Sequence, residues 1–198
     1  NTYEQSKYEA EALVRARARE LPTTIFRPPL IITPPISLEK SKRPINFLLF
    51  ASALITKGYL SFVPGTEKST LDMVSGVDAA RRIIELMLKD RLSHMTYHIT
   101  NGSMAPTVRD LRVLIEQKLG KPVPLEYCGS METFLQRVNK IPWYRPGMKT
   151  AYKRSMSFLP EAAYPKIFDN TNTLTELNIS QLGGSPIDAL RLIISIGS

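Results

Sequence analysis

The chain has 198 residues, of which 43% are hydrophobic and 22% are charged, and these proportions are typical of a soluble globular protein. The formal charge of +8 raises nucleic acid as a partner. However, the basic residues are dispersed along the chain, without the aromatic motif of an RNA-binding module or the spacing of a zinc finger. We therefore expect no nucleic acid partner.

No apolar run in the sequence is long enough to span a bilayer, and the N-terminal residues show no signal peptide pattern. The single cysteine, Cys128, cannot form an internal disulfide, which agrees with a reducing compartment. His94 and His98 lack partners at metal-ligand spacing. We expect a cytoplasmic protein without a membrane span and without a metal site.

The first predicted element is a helix that continues to Glu20. Thr2 is the expected N-cap, and Gln5 lies three positions later, where it would complete a capping box. Good helix formers follow from Glu4 onward until Leu21-Pro22 ends the run.

Tyr3 and Lys7 on this helix are the candidate catalytic residues. Residues four positions apart share one face of a helix, so the phenol and the ammonium should point the same way. A phenol ordinarily titrates near pH ~10, and a nearby cation favours its ionised form. The pair therefore suits general acid/base chemistry. The alternative for an isolated Tyr-x-x-x-Lys match is an ordinary amphipathic surface helix.

A strand should follow over 23–26, because Thr-Thr-Ile-Phe is β-branched and aromatic and Pro28 cannot donate to a sheet. Polar and proline-rich residues predict a loop over 33–44, and an apolar face predicts a helix over 45–57. That helix suits either the wall of a pocket or the core.

Alternating strands and helices are predicted for the rest of the chain. The expected strands lie within 59–64, within 70–76, at 97–101 and at 123–127. Asp78 should cap a helix that runs to about Lys89, and a second helix should cover 107–119 with a Thr107–Asp110 capping box and Gly120 as its C-cap. Ser130 should begin a third helix, with Phe134, Leu135 and Val138 facing inward. The last two expected helices are one with a Thr173–Glu176 capping box and one over 187–194.

Two segments resemble a known family. The run Tyr3-Glu4-Gln5-Ser6-Lys7-Tyr8-Glu9-Ala10-Glu11 and the strand ending in Arg27-Pro28-Pro29 resemble the active-site helix and following strand of extended short-chain dehydrogenase/reductases. The likeness is closest to the thioester reductase and male-sterility (fatty acyl-CoA reductase) group, and Phe168-Asp169-Asn170 is similar to a segment near the end of that group.

The resemblance implies an α/β fold: the C-terminal portion of a Rossmann-type doubly wound sheet plus a small mixed α/β substrate domain. The dinucleotide-binding part would occupy 1–102 and the substrate-binding part 103–198. None of the ten glycines lies in a strand, Gly-rich turn and helix arrangement. In the resembled family that turn precedes the Tyr-Lys helix. We therefore expect these residues to be the C-terminal part of a longer protein, and inactive by themselves.

The resemblance also implies roles for individual residues. Tyr3 would donate a proton to the developing alkoxide, and Lys7 would assist it and hydrogen-bond the nicotinamide ribose. The expected cofactor-binding residues are Lys7, Arg27, Pro28, Pro29 and Leu30. The cofactor would be NADP or NAD, with NADP favoured.

The implied function is an NAD(P)H-dependent reduction of an acyl thioester, bound to coenzyme A or a carrier protein, or of the derived aldehyde. An acyl carrier domain is a candidate partner, and a homodimer through the Tyr-Lys helix is a further expectation. Two alternatives remain open. One is a nucleotide-sugar epimerase or dehydratase, or another ketone reductase of the same superfamily; the other is a non-catalytic binding module derived from a reductase.

Overall fold

The structure is a computed structural model that describes residues 2–32, 54–142, 146–156, 159, 163–164, 166–185, 187–188 and 191. Three predictions fall wholly or mostly outside these ranges: the loop 33–44, the helix 45–57 apart from its last turn and the terminal helix 187–194.

The described residues form helices and short strands that alternate along the chain. The helices are α1 (Thr2–Arg17), α2 (Gly76–Met87), α3 (Val108–Leu119), α4 (Met131–Asn139), α5 (Pro146–Ser155) and α6 (Thr171–Leu177), with a 3₁₀ turn at Gly102–Met104. The strands are β1 (Ile25–Arg27), β2 (Leu30–Ile32), β3 (Phe62–Val63), β4 (Met73–Ser75), β5 (Thr96–His98) and β6 (Glu126–Tyr127).

The strands pair in parallel, β1 with β5, β2 with β4 and β3 with β6. Parallel neighbours need crossover connections, and helix α2 lies on the stretch of chain between the paired strands β1 and β5. The predicted doubly wound α/β class is therefore confirmed. The expected strand after α1 is present as β1 and ends at Arg27, before Pro28. Strand β2, which resumes directly after Pro29, was not predicted.

Local capping signals were correct where both partners lie within one turn. Thr107 and Asp110 form the predicted capping box of α3, and Gly120 ends that helix with a φ of 63°. Ser130 caps α4 by accepting from the Thr133 N–H. These caps depend only on residues three positions apart, so the sequence alone is sufficient to identify them.

Two capping predictions for the first half were wrong. Ser75, not Asp78, is the N-cap of α2, and Asp78 lies in the first turn, where its backbone N–H and its carboxylate both bond the Ser75 hydroxyl. Helix α1 includes Thr2 and ends at Arg17 rather than Glu20. The Gln5 side chain donates to Glu9 on the next turn, at 2.7 Å, instead of turning back toward Thr2.

Two apolar clusters form the core. The larger includes Phe62, Phe134 and Tyr152 and joins α3, α4 and α5 to β3. The smaller includes Val74, Leu86 and Tyr97 and joins α2 to β4 and β5. Phe134 and Val138 face inward as predicted. Leu135 was wrongly predicted to face inward, since it lies on the outer side of α4 and is 39% exposed.

Helix α6 follows one edge of β5. Three side-chain donors of this segment reach alternate carbonyl groups of the strand, which project to the same side: Asn172 to Thr96 at 3.1 Å, Thr173 to His98 at 2.7 Å and Asn170 to Thr100 at 2.7 Å. The predicted Thr173–Glu176 capping box is wrong, because Asn170 is the N-cap and the Glu176 carboxylate accepts from Tyr97 and Ser93.

Candidate active site

Helix α1 runs antiparallel to β1 and β5. Near its C-terminus, Arg15 donates to the Thr96 hydroxyl at 2.8 Å, at the start of β5. One turn earlier, Glu11 binds Arg27, at the carboxyl end of β1. Because β1 and β5 are parallel and in register, the N-terminal turns of α1 extend past the carboxyl ends of these strands. Ligands of open α/β sheets bind at that edge.

Lys7 and Tyr3 lie on the turns that extend past the edge. At a helical rise of about 1.5 Å per residue, Lys7 is about 6 Å and Tyr3 about 12 Å beyond Glu11 along the helix axis. The Lys7 ammonium lies 5.5 Å from the centre of the Tyr3 ring. The structure therefore brings the two candidate catalytic residues together on one side of the helix.

The Tyr3 side chain is 68% exposed and open to a ligand. Tyr8 on the same helix is 72% exposed, so exposure alone does not single Tyr3 out. The difference is the neighbouring cation, because the structure places the Lys7 ammonium over the Tyr3 ring. Nothing in this geometry tests the catalytic role, which stays a prediction.

The Glu11 carboxylate connects α1 to the end of β1. Arg27 donates two hydrogen bonds to it, from Nε at 2.9 Å and from Nη2 at 2.5 Å, and Arg15 Nε donates a third at 2.8 Å. Two guanidinium donors on one carboxylate give a planar, directional contact. The hydrogen bond from Arg27, reinforced by Arg15, lowers the pKa of the Glu11 carboxyl, although partial burial opposes this. The predicted cofactor residue Arg27 is thus engaged with the helix.

His98 lies beside Arg27 in the register of the two strands. Its Nε2 is 3.2 Å from Arg27 Nη1, and its Nδ1 is 2.9 Å from the Asp169 carbonyl oxygen. A guanidinium can only donate, so Nε2 accepts and Nδ1 carries the proton. The neutral Nδ1–H tautomer satisfies both contacts.

Pro28 and Pro29 connect β1 to β2 at the carboxyl edge, where Pro28 is exposed and Pro29 is half-buried. Leu30, the third predicted cofactor-binding residue of this segment, is the first residue of β2, pairs with Met73 and is 40% exposed. All three predicted cofactor contacts therefore lie at or next to the end of β1. Their contact with a cofactor stays a prediction.

Asp72 and Asn101 join the two strand pairs. The Asn101 backbone and side-chain N–H groups both donate to Asp72 Oδ1, and the same side chain donates to the Met73 carbonyl at 2.6 Å. The second oxygen, Oδ2, is buried without a hydrogen-bond partner. Burial raises the pKa of the Asp72 carboxyl, although the bonds from Asn101 oppose this. Through these contacts Asp72 holds Asn101 in place between the strand pairs.

A cavity of about 80 Å³ lies at the carboxyl end of β4, between Asn101, Asp78 and the Gly183–Ser185 loop. Sites for small organic ligands are usually ~300 Å³ or more. This cavity is too small for an acyl chain and is better suited to water.

Within the described ranges, no group of three or more His, Cys, Asp or Glu side chains is arranged to hold a metal ion. None of the helices in the described part of the chain has the length and apolar content that a bilayer crossing requires.

Sequence reasoning missed two residues of this region, Glu11 and His98. Glu11 continues the four-residue spacing of Tyr3 and Lys7, and that spacing was the available signal. His98 was considered only as a metal ligand. Its contacts with Arg27 and Asp169 span 71 residues of sequence each, which no local pattern could indicate.

Solved structures with the same fold include the reductase domain of the aureusimine biosynthetic cluster, with a TM-score of 0.62 and 16% identity over 100% of this chain and 51% of that chain. The terminal R domain from the myxalamid PKS-NRPS biosynthetic pathway has a TM-score of 0.61 and 18% identity, over 98% of this chain and 48% of that chain. UDP-glucuronic acid 4-epimerase from Bacillus cereus in complex with NAD has a TM-score of 0.59 and 14% identity, over 100% of this chain and 54% of that chain.

The fold is therefore that of Rossmann-type extended short-chain dehydrogenase/reductases. More narrowly, residues 1–84, which include α1, β1, β2 and β4, match the model of the male sterility protein family, a family of NAD-binding domains. This confirms the resemblance predicted from the Tyr3–Glu11 and Arg27–Pro29 segments. A search of the curated proteins found no match. The chain spans about half the length of the solved structures it matches.

Proposed function

We propose that the chain is part of an NAD(P)H-dependent reductase that acts on an acyl thioester, or on the aldehyde derived from it. The observation that carries the proposal is the antiparallel course of α1, which extends the Tyr3–Lys7 pair past the carboxyl edge of β1 and β5. The match of residues 1–84 to the male sterility family supports it independently.

The residues present fit the nicotinamide end of a dinucleotide. An exposed phenol and an ammonium lie on the turns of α1 that extend beyond the strand ends. When bound, the reduced nicotinamide supplies a hydride. The residues proposed to hold the cofactor are Lys7, Arg27, Pro28, Pro29 and Leu30. Arg27 would act indirectly, through its hydrogen bonds to Glu11.

Tyr3 is the proposed proton donor to the carbonyl oxygen of the substrate as that oxygen gains negative charge. The Lys7 ammonium lies 5.5 Å from the centre of the Tyr3 ring, so a positive charge lies next to the proposed donor. Lys7 is also the proposed hydrogen-bond donor to the nicotinamide ribose. The protein's part in the reaction is thus a positioned acid and a fixed positive charge.

Acyl thioesters, on coenzyme A or on a carrier protein, are the proposed substrates. One structure with the same fold is named as the reductase domain of a biosynthetic cluster, and another as the terminal R domain of a PKS-NRPS pathway. An acyl carrier domain is therefore the proposed partner, and NADPH is the proposed hydride donor. The proposed location is the cytoplasm, and the proposed assembly is a homodimer. The proposed division of the chain remains 1–102 and 103–198.

The test is turnover of acyl-coenzyme A or acyl-carrier thioesters by the full-length protein, measured as NADPH or NADH consumption and as aldehyde or alcohol formed. Tyr3→Phe should reduce kcat at least ~100-fold, since it removes the proton donor, with the Kd of NADPH nearly unchanged. Tyr8→Phe is the matched control, because Tyr8 has similar exposure on the same helix. Full activity of Tyr3→Phe would remove Tyr3 from the mechanism.

A nucleotide-sugar epimerase is the second candidate, because the Bacillus cereus epimerase has a nearly equal TM-score of 0.59. The same assay separates the two functions. Conversion of UDP-sugars without net NADPH consumption, together with no reduction of thioesters, would favour the epimerase.

A further inference from the structure

Charged side chains link the proposed catalytic helix, α1, to the neighbouring strands. No residue of helix α1 is buried by the described part of the chain. Its links to the strands are the Glu11–Arg27 pair and the bonds of Arg15 to Thr96 and to the Met95 sulfur. The position of the Arg27 guanidinium therefore contributes to the height of Tyr3 above the sheet edge.

Arg27 is itself fixed by His98. Its Nε and Nη2 point at Glu11, and its remaining Nη1 donates to His98 Nε2 at 3.2 Å. His98 is oriented from the other side by its Nδ1–H, which donates to the Asp169 carbonyl at 2.9 Å. Both ring nitrogens are thus engaged, so His98 acts on the site through Arg27.

The Asp169 carbonyl has a fixed position. The Asp169 side chain accepts from the Thr171 backbone N–H at 2.9 Å at the start of α6. Helix α6 is in turn attached to β5 by the three side-chain bonds from Asn170, Asn172 and Thr173. The ring of Phe168 lies 6.3 Å from the imidazole, centre to centre.

We propose that His98 is a positioning residue for the Tyr3–Lys7 pair, connecting the Asp169–Thr173 segment through Arg27 and Glu11 to α1. This inference rests on the proposed function. Proton transfer depends on geometry, and a displacement of about 1 Å can reduce the rate about 100-fold. Loss of the His98–Arg27 bond frees the guanidinium to move, and the helix moves with it.

Two substitutions separate the two sides of the ring. His98→Gln places an amide oxygen near the position of Nε2, so it can accept from Arg27 but loses the bond to Asp169. His98→Asn places an amide N–H near the position of Nδ1, so it keeps Asp169 but loses Arg27. Both replace the ring by a neutral amide.

In the full-length enzyme we expect His98→Asn to lower kcat about 10-fold, with a smaller change in the KM of the acyl thioester. His98→Gln should stay within about 3-fold of wild type, because it preserves the link that touches the active-site helix. Equal losses in the two variants would indicate a merely structural ring and overturn the proposal. Unchanged rates in both would also overturn it.

Amide hydrogen exchange over residues 4–17 provides a readout that does not require activity. We expect faster exchange in His98→Asn than in His98→Gln, and equal exchange would overturn the link. If the wild-type protein reduces no thioester, the proposed function fails, while the exchange comparison still decides the role of His98.

Arg27→Lys is the second variant if His98→Asn does not fold. The ammonium of a lysine is a single point of charge and cannot hydrogen-bond Glu11 and His98 at the same time as the planar guanidinium does. It should reproduce the loss in kcat and the faster exchange of α1. Wild-type values for both would contradict the proposal.

Discussion

Helix α1 and the aromatic cluster formed by Phe62, Phe134 and Tyr152 are attached to the fold by different interactions. The three rings are buried and in mutual contact, with Phe62 stacked on Tyr152 at 4.4 Å and Phe134 edge-on to both at 5.7 Å. Among the described residues, helix α1 is linked to the strands through Glu11 and Arg15. The described contacts of the aromatic cluster are apolar, and those of α1 are directional and charged.

This difference separates stability from positioning. Apolar burial is non-directional and supplies most of the folding free energy. Partly exposed ion pairs add little stability, but their geometry is specific. We therefore expect the free energy of unfolding to depend on the aromatic cluster and catalytic geometry on the links of α1. The predictions below test this division in order of expected effect on stability.

Phe134→Ala should have the largest effect, destabilising the protein by about 3–5 kcal/mol, because it removes a buried ring and leaves a cavity. Urea unfolding of the full-length protein measures it. Leu135→Ala is the matched control on the same helix, where Leu135 is 39% exposed, and should cost less than about 1 kcal/mol. Equal losses would show that α4 does not pack as described.

Tyr152→Phe should cost about 1–3 kcal/mol, since buried backbone groups lose their partner. The Tyr152 hydroxyl accepts from the Phe62 N–H and donates to the Phe62 carbonyl, each at 3.0 Å. Thermal unfolding against the exposed control Tyr164→Phe provides the comparison. A stability equal to that of wild type would mean that the ring, without its hydroxyl, accounts for the whole contribution of Tyr152.

Asp72→Asn tests the Asp72–Asn101 contact between the strand pairs, because it removes a titratable group and so changes the pH dependence of stability. Burial raises the pKa of Asp72 above its ordinary value of 3.8, so the native state binds the proton more tightly than the unfolded state. The stability linked to this group is present below pH 3.8 and is lost as the pH rises through the raised pKa.

Wild type should therefore lose stability relative to Asp72→Asn as the pH rises from acid toward neutral. Urea unfolding at several pH values measures the difference, with the exposed Asp90→Asn as control. A difference that does not change with pH would contradict the burial of the carboxylate.

Glu11→Gln should have the smallest effect on stability, below about 1 kcal/mol at neutral pH, because the Glu11 and Arg27 side chains are 22% and 44% exposed. The pKa of Glu11 is lowered by Arg27, so its contribution exists above the ordinary value of 4.5 and is lost as the pH falls through the lowered pKa. Unfolding at pH 7 and pH 3 measures both expectations.

The matched control is Glu20→Gln, whose pair with Arg17 is longer, at 3.7 Å, and 68% exposed on the Glu20 side. Exchange of the α1 amides should rise in Glu11→Gln and not in Glu20→Gln. A large loss of global stability in Glu11→Gln would break the division between the two regions.

Much of the local structure could be predicted from the sequence. The helix carrying Tyr3 and Lys7, the end of β1 before Pro28, and the caps at Thr107 and Ser130 depend on residues within four positions of one another. One error came where an equally local rule had two candidates. Ser75 and Asp78 can both cap a helix, and the choice between them depends on where β4 ends.

By itself, the sequence placed a phenol and an ammonium on one side of the first helix, because helical periodicity is a property of neighbouring residues. The α/β class followed from the resemblance of two short segments to a known family. Only the tertiary structure decided how that helix is attached. Arg27 meets Glu11 across 16 residues and His98 across 71. Such contacts exist because β1 and β5 pair in parallel, which brings distant residues to the same edge of the sheet.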